Sequence, residues 1–182
     1  MQQPKKQPEL IRKRIIEQAI MLASENGTQA VSIQNVANGV GVTKGGVFHH
    51  FANKNILVEA MISEIIQHLD RAVESLIAAD NNEYGKFTRA YIHSAFMTCI
   101  DGLVSPWTAL TKTMISDQAF NQKFGVWFNE KLNHYSDTDN HIELEFVRLA
   151  TDGLWLQIIT EIIDEENSLR YKNELIKRTY LT

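Results

Sequence analysis

The residues best suited to bind another molecule stand together in the N-terminal third of the chain. Thr43 and Lys44 open a short predicted helix, where free backbone N–H groups and the helix dipole attract an anion such as phosphate. Lys44 is also long enough to reach the edge of a guanine base. Gly45 and Gly46 follow, and each glycine inside a helix costs about 1 kcal/mol relative to alanine. Two glycines in succession therefore indicate a close approach of the backbone to a partner.

Two short helices must position these side chains, both within residues 32–51. Ser32 is a suitable N-cap for the first helix, and Gly41 occupies the tight turn, where a positive φ is easily adopted only by glycine. Apolar residues stand where two steeply crossing helices would bury them, namely Val36, Val40, Val42, Val47 and Phe51. This is the pattern of a helix-turn-helix, whose second helix enters the major groove of DNA by its N-terminal end.

The rest of the chain also predicts helices, so the expected fold class is all-α, with about nine helices. Apolar residues recur at helical spacing, and no segment shows sustained strand-like alternation. Only three prolines and nine glycines occur in 182 residues, as is typical of long helices. A sixth helix is expected over residues 105–117 and an eighth over residues 142–163, whereas the polar run of residues 136–140 is expected to be a linker.

Charge is divided unevenly along the chain. Residues 1–55 carry seven basic and three acidic side chains, a net charge of +4, whereas the remainder carries −8. A basic end on an acidic body is expected where that end meets a polyanion. A solvated basic tail would give the same distribution, and charge alone does not separate the two interpretations.

Composition argues against several classes of protein. No apolar run approaches the roughly 20 residues that span a bilayer, so we expect no membrane partner. The N-terminal segment has no apolar stretch after its lysines, which argues against a secretory signal. Cys99 is the single cysteine, which excludes an internal disulfide and fits a reducing, cytoplasmic setting.

Titratable residues elsewhere form no convincing catalytic or metal site. Four possible metal ligands stand close in sequence, namely His134, Asp137, Asp139 and His141. Their spacing matches no metal motif, and a solvated linker explains them better. Cys99 near His93 could suggest a nucleophilic pair, although a buried structural thiol in a helix explains it better. We therefore expect no catalytic residues, no cofactor and no metal.

The segment over residues 32–51 resembles the DNA-binding region of the TetR family of bacterial repressors. The matching residues are Ala37, Gly41, Val42, Thr43, Lys44, Gly45, Phe48, Phe51 and Lys54. The resemblance covers about the first 70 residues, and beyond them only the all-helical, acidic layout is similar. It implies a three-helix helix-turn-helix DNA-binding domain over residues 9–69 and a helical ligand-binding and dimerisation domain over residues 70–182.

The resemblance also implies which residues contact double-stranded DNA: Ser32, Thr43, Lys44, Gly45, Gly46, Phe48, His49, His50 and Lys54. Lys54 matches the lysine that meets the DNA backbone from the start of the fourth helix. Phe48 stands where the family usually has tyrosine, so a phosphate-binding hydroxyl is missing, although the ring can still pack or touch a thymine methyl group. The departure concerns affinity more than the mode of binding.

The predicted eighth helix has two apolar faces, and such a helix is buried on two sides. One face holds Phe146, Leu149, Gly153 and Leu156. The other holds Val147, Leu154, Ile158 and Ile162, and these four are expected at an interface with a second copy of the chain. A central helix inside a monomer is the alternative. The resemblance favours the interface, because family members dimerise through their last two long helices.

Aromatic and polar residues are expected to line a pocket for an unknown small-molecule ligand. The expected pocket residues are His68, Tyr91, Phe96, Trp107, Phe124, Trp127 and Trp155. Ligand pockets are mostly apolar with a few polar groups. No arginine cluster or carboxylate pair is available, so the ligand is expected to be mostly apolar and without strong charge. Each aromatic residue taken alone could equally belong to an ordinary core.

The pattern and the resemblance together predict a homodimeric, sequence-specific DNA-binding transcriptional regulator, a repressor that its ligand releases from a palindromic operator. Two recognition helices would occupy successive major grooves, about 34–36 Å apart. One alternative is a DNA-binding structural or cell-division factor on the same fold without an inducer, which would occupy many dispersed sites. Another is a small helical enzyme, which would need a titratable group with a chemical role.

Overall fold

The computed structural model describes residues 6–97, 99–100, 103–104 and 118–181. In this part of the chain nine α-helices are present, and the all-α fold class is confirmed. They are α1 (Lys6–Asn26), α2 (Ile33–Val40), α3 (Lys44–His50), α4 (Lys54–Ala79), α5 (Lys86–Ala95), α6 (Gln118–His134), α7 (Ser136–Asp139), α8 (Ile142–Ile159) and α9 (Glu165–Lys177). A 3₁₀ helix, Thr28–Ala30, joins α1 to α2, and two two-residue strands, Cys99–Ile100 (β1) and Leu103–Val104 (β2), pair antiparallel.

Three expectations about the elements have different outcomes. The linker expected over residues 136–140 contains the short helix α7, so that expectation is wrong. Helix α8 ends at Ile159, before residue 163, and Glu161 has a φ of 57°, which cannot continue a right-handed helix. The helix expected over residues 105–117 lies outside the described residues.

The first compact unit comprises residues 1–68 and 99–124. Its core contains the buried apolar residues of α1, α2, α3 and the start of α4, among them Ile15, Ala19, Ile20, Val36, Val40, Val47, Phe51, Leu57 and Met61. Gly41 has a φ of 76° in the turn between α2 and α3, as the sequence predicts. Arg14 Nη2 donates a hydrogen bond of 3.0 Å to the carbonyl oxygen of Val40, which attaches α1 to the end of α2. The helix-turn-helix is thus anchored on α1.

The second compact unit comprises residues 69–98 and 125–182. Its central helix is α5, in which eight of ten residues are buried and which packs on α7, α8 and α9. The core around α5 includes Val73, Phe87, Tyr91, Ile92, Leu144, Val147 and Leu154. The functional domains predicted over residues 9–69 and 70–182 stay a prediction, because compact packing does not by itself assign a function.

The N-terminus of α5 is capped from a distant part of the chain. Gly85 precedes the helix with a φ of 71° and has no side chain to act as a cap, and a Cβ there would lie 2.7 Å from the carbonyl oxygen of Thr179. The buried carboxylate of Asp139 accepts the backbone N–H groups of Phe87 (3.2 Å) and Thr88 (2.8 Å) instead. Helix α7 therefore delivers the anionic cap that the first turn of α5 needs.

Candidate functional site

Helix α3 presents its N-terminal turn to solvent. Thr43 is the N-cap, and its Oγ1 accepts the backbone N–H of Gly46 over 3.1 Å. Lys44, the first helical residue, is exposed. The N-cap predicted at Thr43 is confirmed, and the turn that it begins can receive an anion on its exposed backbone N–H groups.

The packing of the protein itself does not require glycine in this turn. A Cβ built at Gly45 would approach nothing closer than 3.8 Å, and one built at Gly46 nothing closer than 3.5 Å, both ordinary van der Waals distances. Neither residue has a positive φ. Because each glycine costs about 1 kcal/mol in a helix, their presence is best explained by a molecule that approaches this backbone from outside.

The side chains of α3 divide into an anchor and an exposed surface. Val47 is buried and holds the helix on the core. Phe48 is 49% exposed, and Lys44, four residues earlier, lies on the same side of the helix. We call the exposed group formed by Thr43, Lys44, Gly45, Gly46, Phe48 and His49 the recognition surface. It combines an open helix N-terminus, a cation and an apolar ring.

His49 and His50 end α3 with their rings edge to face, 5.4 Å between centroids. Burial lowers the pKa of His50, and the neighbouring charges of His49 and Arg12 lower it further. The guanidinium of Arg12 lies over the ring of Phe51, 5.1 Å from its centre. Arg12 is not among the residues that the sequence predicts to contact DNA. Its place in a run of three basic residues was the available signal that it could stand beside α3.

Ser32 and Lys54 stand at the starts of the neighbouring helices. The Ser32 hydroxyl accepts the backbone N–H of Asn35 over 3.1 Å, so it caps α2 as predicted. Lys54 is the first residue of α4 and is exposed. A contact of either residue with DNA stays a prediction, as it does for the recognition surface and His50.

Helix α8 turns a different face to solvent than the sequence analysis predicts. Val147 and Leu154 are only 5% and 6% exposed and belong to the core of the second unit, so the prediction that they face a partner is wrong. Ile158 is half-buried, and Ile162 is exposed beyond the end of α8; their role at an interface stays a prediction. The error arises because both faces are apolar, and only the packing of α8 on α5 and α9 decides which one is covered.

The exposed α8 stripe consists of Phe146, Leu149, Gly153 and Leu156. Phe146 and Leu149 are 60% and 59% exposed, and Leu156 is also well exposed. Helix α9 has no buried residue, and its Leu169 is exposed as well. Large apolar side chains exposed in one continuous stripe are typical of a protein–protein contact.

The residues predicted for a ligand pocket fall in both compact units. His68, ion-paired with Glu64 at 3.2 Å when protonated, and Phe124, stacked on Phe120, belong to the first unit. Tyr91, Phe96, Trp127 and Trp155 belong to the second unit, and Trp107 lies outside the described residues.

Within the second unit the structure brings Tyr91 and Trp127 to the same aromatic neighbour, Phe128, at centroid distances of 5.2 and 6.4 Å. Both side chains are buried, and their polar atoms form hydrogen bonds within the protein. Trp127 Nε1 donates to Asp70 over 2.8 Å, and the Tyr91 hydroxyl donates to Asp152. That these residues line a ligand cavity stays a prediction.

The described part of the chain offers neither a metal site nor a membrane-spanning helix. No group of three or more His, Cys, Asp or Glu side chains there could hold a metal ion. None of the described helices is long and apolar enough to cross a membrane.

Two family models match the chain. "Bacterial regulatory proteins, tetR family" matches residues 15–61, and "Tetracyclin repressor-like, C-terminal domain" matches residues 85–179. The second match covers more than half of the chain.

Curated relatives are similar over the N-terminal part. The HTH-type transcriptional regulator BetI of Yersinia pestis (strain Pestoides F) is 37% identical over 68 residues, 37% of this chain and 34% of BetI. The HTH-type transcriptional repressor KstR2 of Mycobacterium tuberculosis is 25% identical over 71 residues, 39% of this chain and 36% of KstR2. The matched stretch thus spans about a third of the length of these curated relatives.

Solved structures are similar over nearly the whole chain. A TetR-family member from Streptomyces coelicolor A3 superposes with a TM-score of 0.67 at 19% identity, covering 94% of this chain and 99% of that one. The multidrug binding protein EbrR complexed with malachite green superposes with a TM-score of 0.65 at 19% identity, covering 98% and 100%. At these identities the similarity shows a shared fold.

Proposed function

The chain belongs to the TetR family of bacterial regulatory proteins, and from that premise we propose that it is a sequence-specific DNA-binding transcriptional regulator that acts as a homodimer. The observation that carries the proposal is the recognition surface. It has an open helix N-terminus, an exposed lysine and two glycines that internal packing does not require. A DNA backbone or base edge that approaches this turn explains all three features.

In the proposed complex each residue of the surface has a distinct role. Thr43 and Lys44 bind phosphate at the helix N-terminus, and Lys44 also reaches a guanine edge. Phe48 contacts a thymine methyl group, which suits its exposed ring. His49 and His50 reach phosphates, and Lys54 binds the backbone from the start of α4.

The exposed α8 stripe and α9 form the proposed contact between two copies of the chain. The stripe places Gly153 among large apolar side chains, and a Cβ built at Gly153 would meet nothing within 4 Å of the protomer. A glycine there permits close approach of a second helix. In the proposed homodimer the two α3 helices bind the two half-sites of a palindrome, whose centres are about 34–36 Å apart.

We further propose that the protein represses transcription and that a mostly apolar small molecule releases it from DNA. KstR2 is described as a repressor, and EbrR as a multidrug binding protein that holds malachite green. If a ligand lowers the affinity for DNA, DNA must lower the affinity for that ligand by the same factor. This reciprocity makes the release mechanism measurable in either direction.

The test of DNA recognition is selection of binding sites by the purified protein from a library of random duplexes. The proposal predicts enrichment of an inverted repeat, with half-site centres about one helical turn of DNA apart or a multiple of it. The same selection with Lys13→Ala, an exposed lysine on α1 that pairs with Glu17, should recover the same repeat. Uniform binding without an enriched sequence would overturn the proposal.

A map of bound sites on the chromosome separates regulation from the alternative role. A regulator should occupy few sites, near promoters. Many dispersed sites would instead indicate a structural or cell-division factor on the same fold.

A further inference from the structure

A concave site lies in the second compact unit, and its lining contains none of the residues predicted for the ligand pocket. It is a cleft of about 510 Å³ between the end of α4, the turn after it, α5 and Tyr180. Leu76, Ala79 and Ala90 form apolar walls, and Arg89 and His93 are polar. The volume is within the range of small-molecule sites.

The side chain of Arg89 is buried in the wall of this cleft, and four of its five N–H groups donate to the protein. Only 2% of it is exposed, and its Nε donates to Asp80 Oδ2 over 2.6 Å. Nη1 and Nη2 donate to the carbonyl oxygens of Tyr84, Thr179 and Asn82. A guanidinium has five N–H groups, so one N–H on Nη2 has no acceptor within the described part of the chain. A buried donor without an acceptor is costly, and a bound acceptor would remove that cost.

Two side chains of the cleft, Arg89 and His93, can donate hydrogen bonds to an anion. Asp80 is the acidic residue of its lining, and its two oxygens already accept from Arg89 and from the backbone N–H of Asn82. His93 follows Arg89 by one turn of α5 and is half-buried. Burial and the charges of Lys172 and Arg89 lower the pKa of His93, whereas Asp80 raises it. Burial also lowers the pKa of Lys172 on α9.

We propose that this cleft binds a small molecule that has a planar apolar body and a single carboxylate. The carboxylate accepts the remaining N–H of Arg89 and an N–H of His93. The body lies on the leucine and alanine walls and beside the ring of Tyr180, which stacks on the Arg89 guanidinium at 4.5 Å. The site is separate from the proposed regulator's apolar ligand pocket and does not depend on DNA binding.

Benzoate is the probe for this site, and benzamide, which has the same shape without the charge, is the matched control ligand. Both are titrated by calorimetry into the full-length protein without DNA. Benzoate should bind roughly tenfold more tightly than benzamide, because its hydrogen bonds are charge-assisted. Its affinity should rise as the pH is lowered from about 8 to about 6, because the bound anion favours protonated His93.

Three variants test the location of the site. Ala79 is an exposed residue of α4 in the cleft wall, so Ala79→Phe should fill the cleft and abolish benzoate binding without disturbing the core. Ala78→Phe, the adjacent exposed position outside the lining, should bind benzoate like the unmodified protein. His93→Leu should weaken binding roughly tenfold and remove the pH dependence.

Three results would overturn the proposal. They are equal affinities for benzoate and benzamide, benzoate binding that Ala79→Phe leaves unchanged, and no binding of benzoate at millimolar concentration. Because Ala79 is exposed, the second result does not depend on whether the His93 variant folds.

Discussion

The recognition surface and the exposed α8 stripe both face solvent in the protomer, yet their chemistry differs. The first offers a lysine, an imidazole and free backbone N–H groups at a helix N-terminus. The second offers Phe146, Leu149 and Leu156 around a glycine. Binding to the first should weaken steeply with salt, because it releases counterions from a polyanion. Binding to the second depends on buried apolar area and should change little with salt. The two proposed partners can therefore be separated by experiment.

The largest effect is expected from a charge in the α8 stripe. Leu149→Asp would bury an unpaired carboxylate between two copies, so dimer dissociation should increase by at least about a hundredfold. Sedimentation velocity measures the change, and circular dichroism should show an intact fold because Leu149 is exposed in the protomer. Leu10→Asp, the same change at an exposed leucine of α1, is the control and should leave the dimer intact. A dimer that survives Leu149→Asp would show that the stripe is not the interface.

The next largest effect is expected when a lysine is removed from the DNA-binding end. Lys44→Ala should weaken operator binding by roughly tenfold to a hundredfold and relax sequence preference, because it removes both a phosphate and a base contact. Lys54→Ala should weaken binding to all sequences alike and reduce the salt slope by about one. Fluorescence anisotropy at several salt concentrations, with operator and random duplexes, measures both effects. Unchanged affinities in both variants would remove the recognition surface as the DNA contact.

A smaller but more specific effect is expected from the two glycines. Gly45→Ala and Gly46→Ala should each raise the free energy of unfolding by about 1 kcal/mol, because alanine favours helix and the added Cβ has space. The same variants should bind the operator roughly tenfold more weakly, because the methyl group occupies the space that the DNA approaches. Urea unfolding and operator titration on the same samples measure the two quantities. Stabilised variants with full DNA affinity would show that the backbone of α3 does not closely approach DNA.

The smallest expected effect is the change of operator affinity with pH. Burial and the charges of His49 and Arg12 lower the pKa of His50 below its ordinary 6.5, so the folded protein favours neutral imidazole. The contribution of His50 to stability is therefore fully present above 6.5 and is lost as the pH falls through the lowered pKa of the folded protein. A phosphate would favour the protonated form, so operator affinity should rise about threefold to tenfold between about pH 7.5 and pH 5.5. Titration of His50→Gln should show a weaker pH dependence, and an identical dependence would exclude His50 as a phosphate contact.

Local interactions made the DNA-binding end predictable. The caps at Ser32 and Thr43 are hydrogen bonds to the residue three positions later, and the turn requires only that Gly41 adopt a positive φ. Each of these features depends on residues that lie within three positions of one another in sequence. The helix periodicity, the all-α class and the buried valines of the helix-turn-helix follow from such short-range patterns. The sequence by itself therefore determined the elements and the chemistry of the recognition surface.

Only the tertiary structure decided how the C-terminal part uses its residues. Asp139, interpreted as part of a solvated linker, caps α5 at Thr88, 51 positions away. Trp127 donates its N–H to Asp70, and Arg89 reaches the carbonyl of Thr179 across 90 positions. The same holds for α8, whose two apolar faces are equivalent in sequence until packing in the second unit buries Val147. Pairings over such separations depend on how whole helices pack, and periodicity within one helix carries no information about its neighbours.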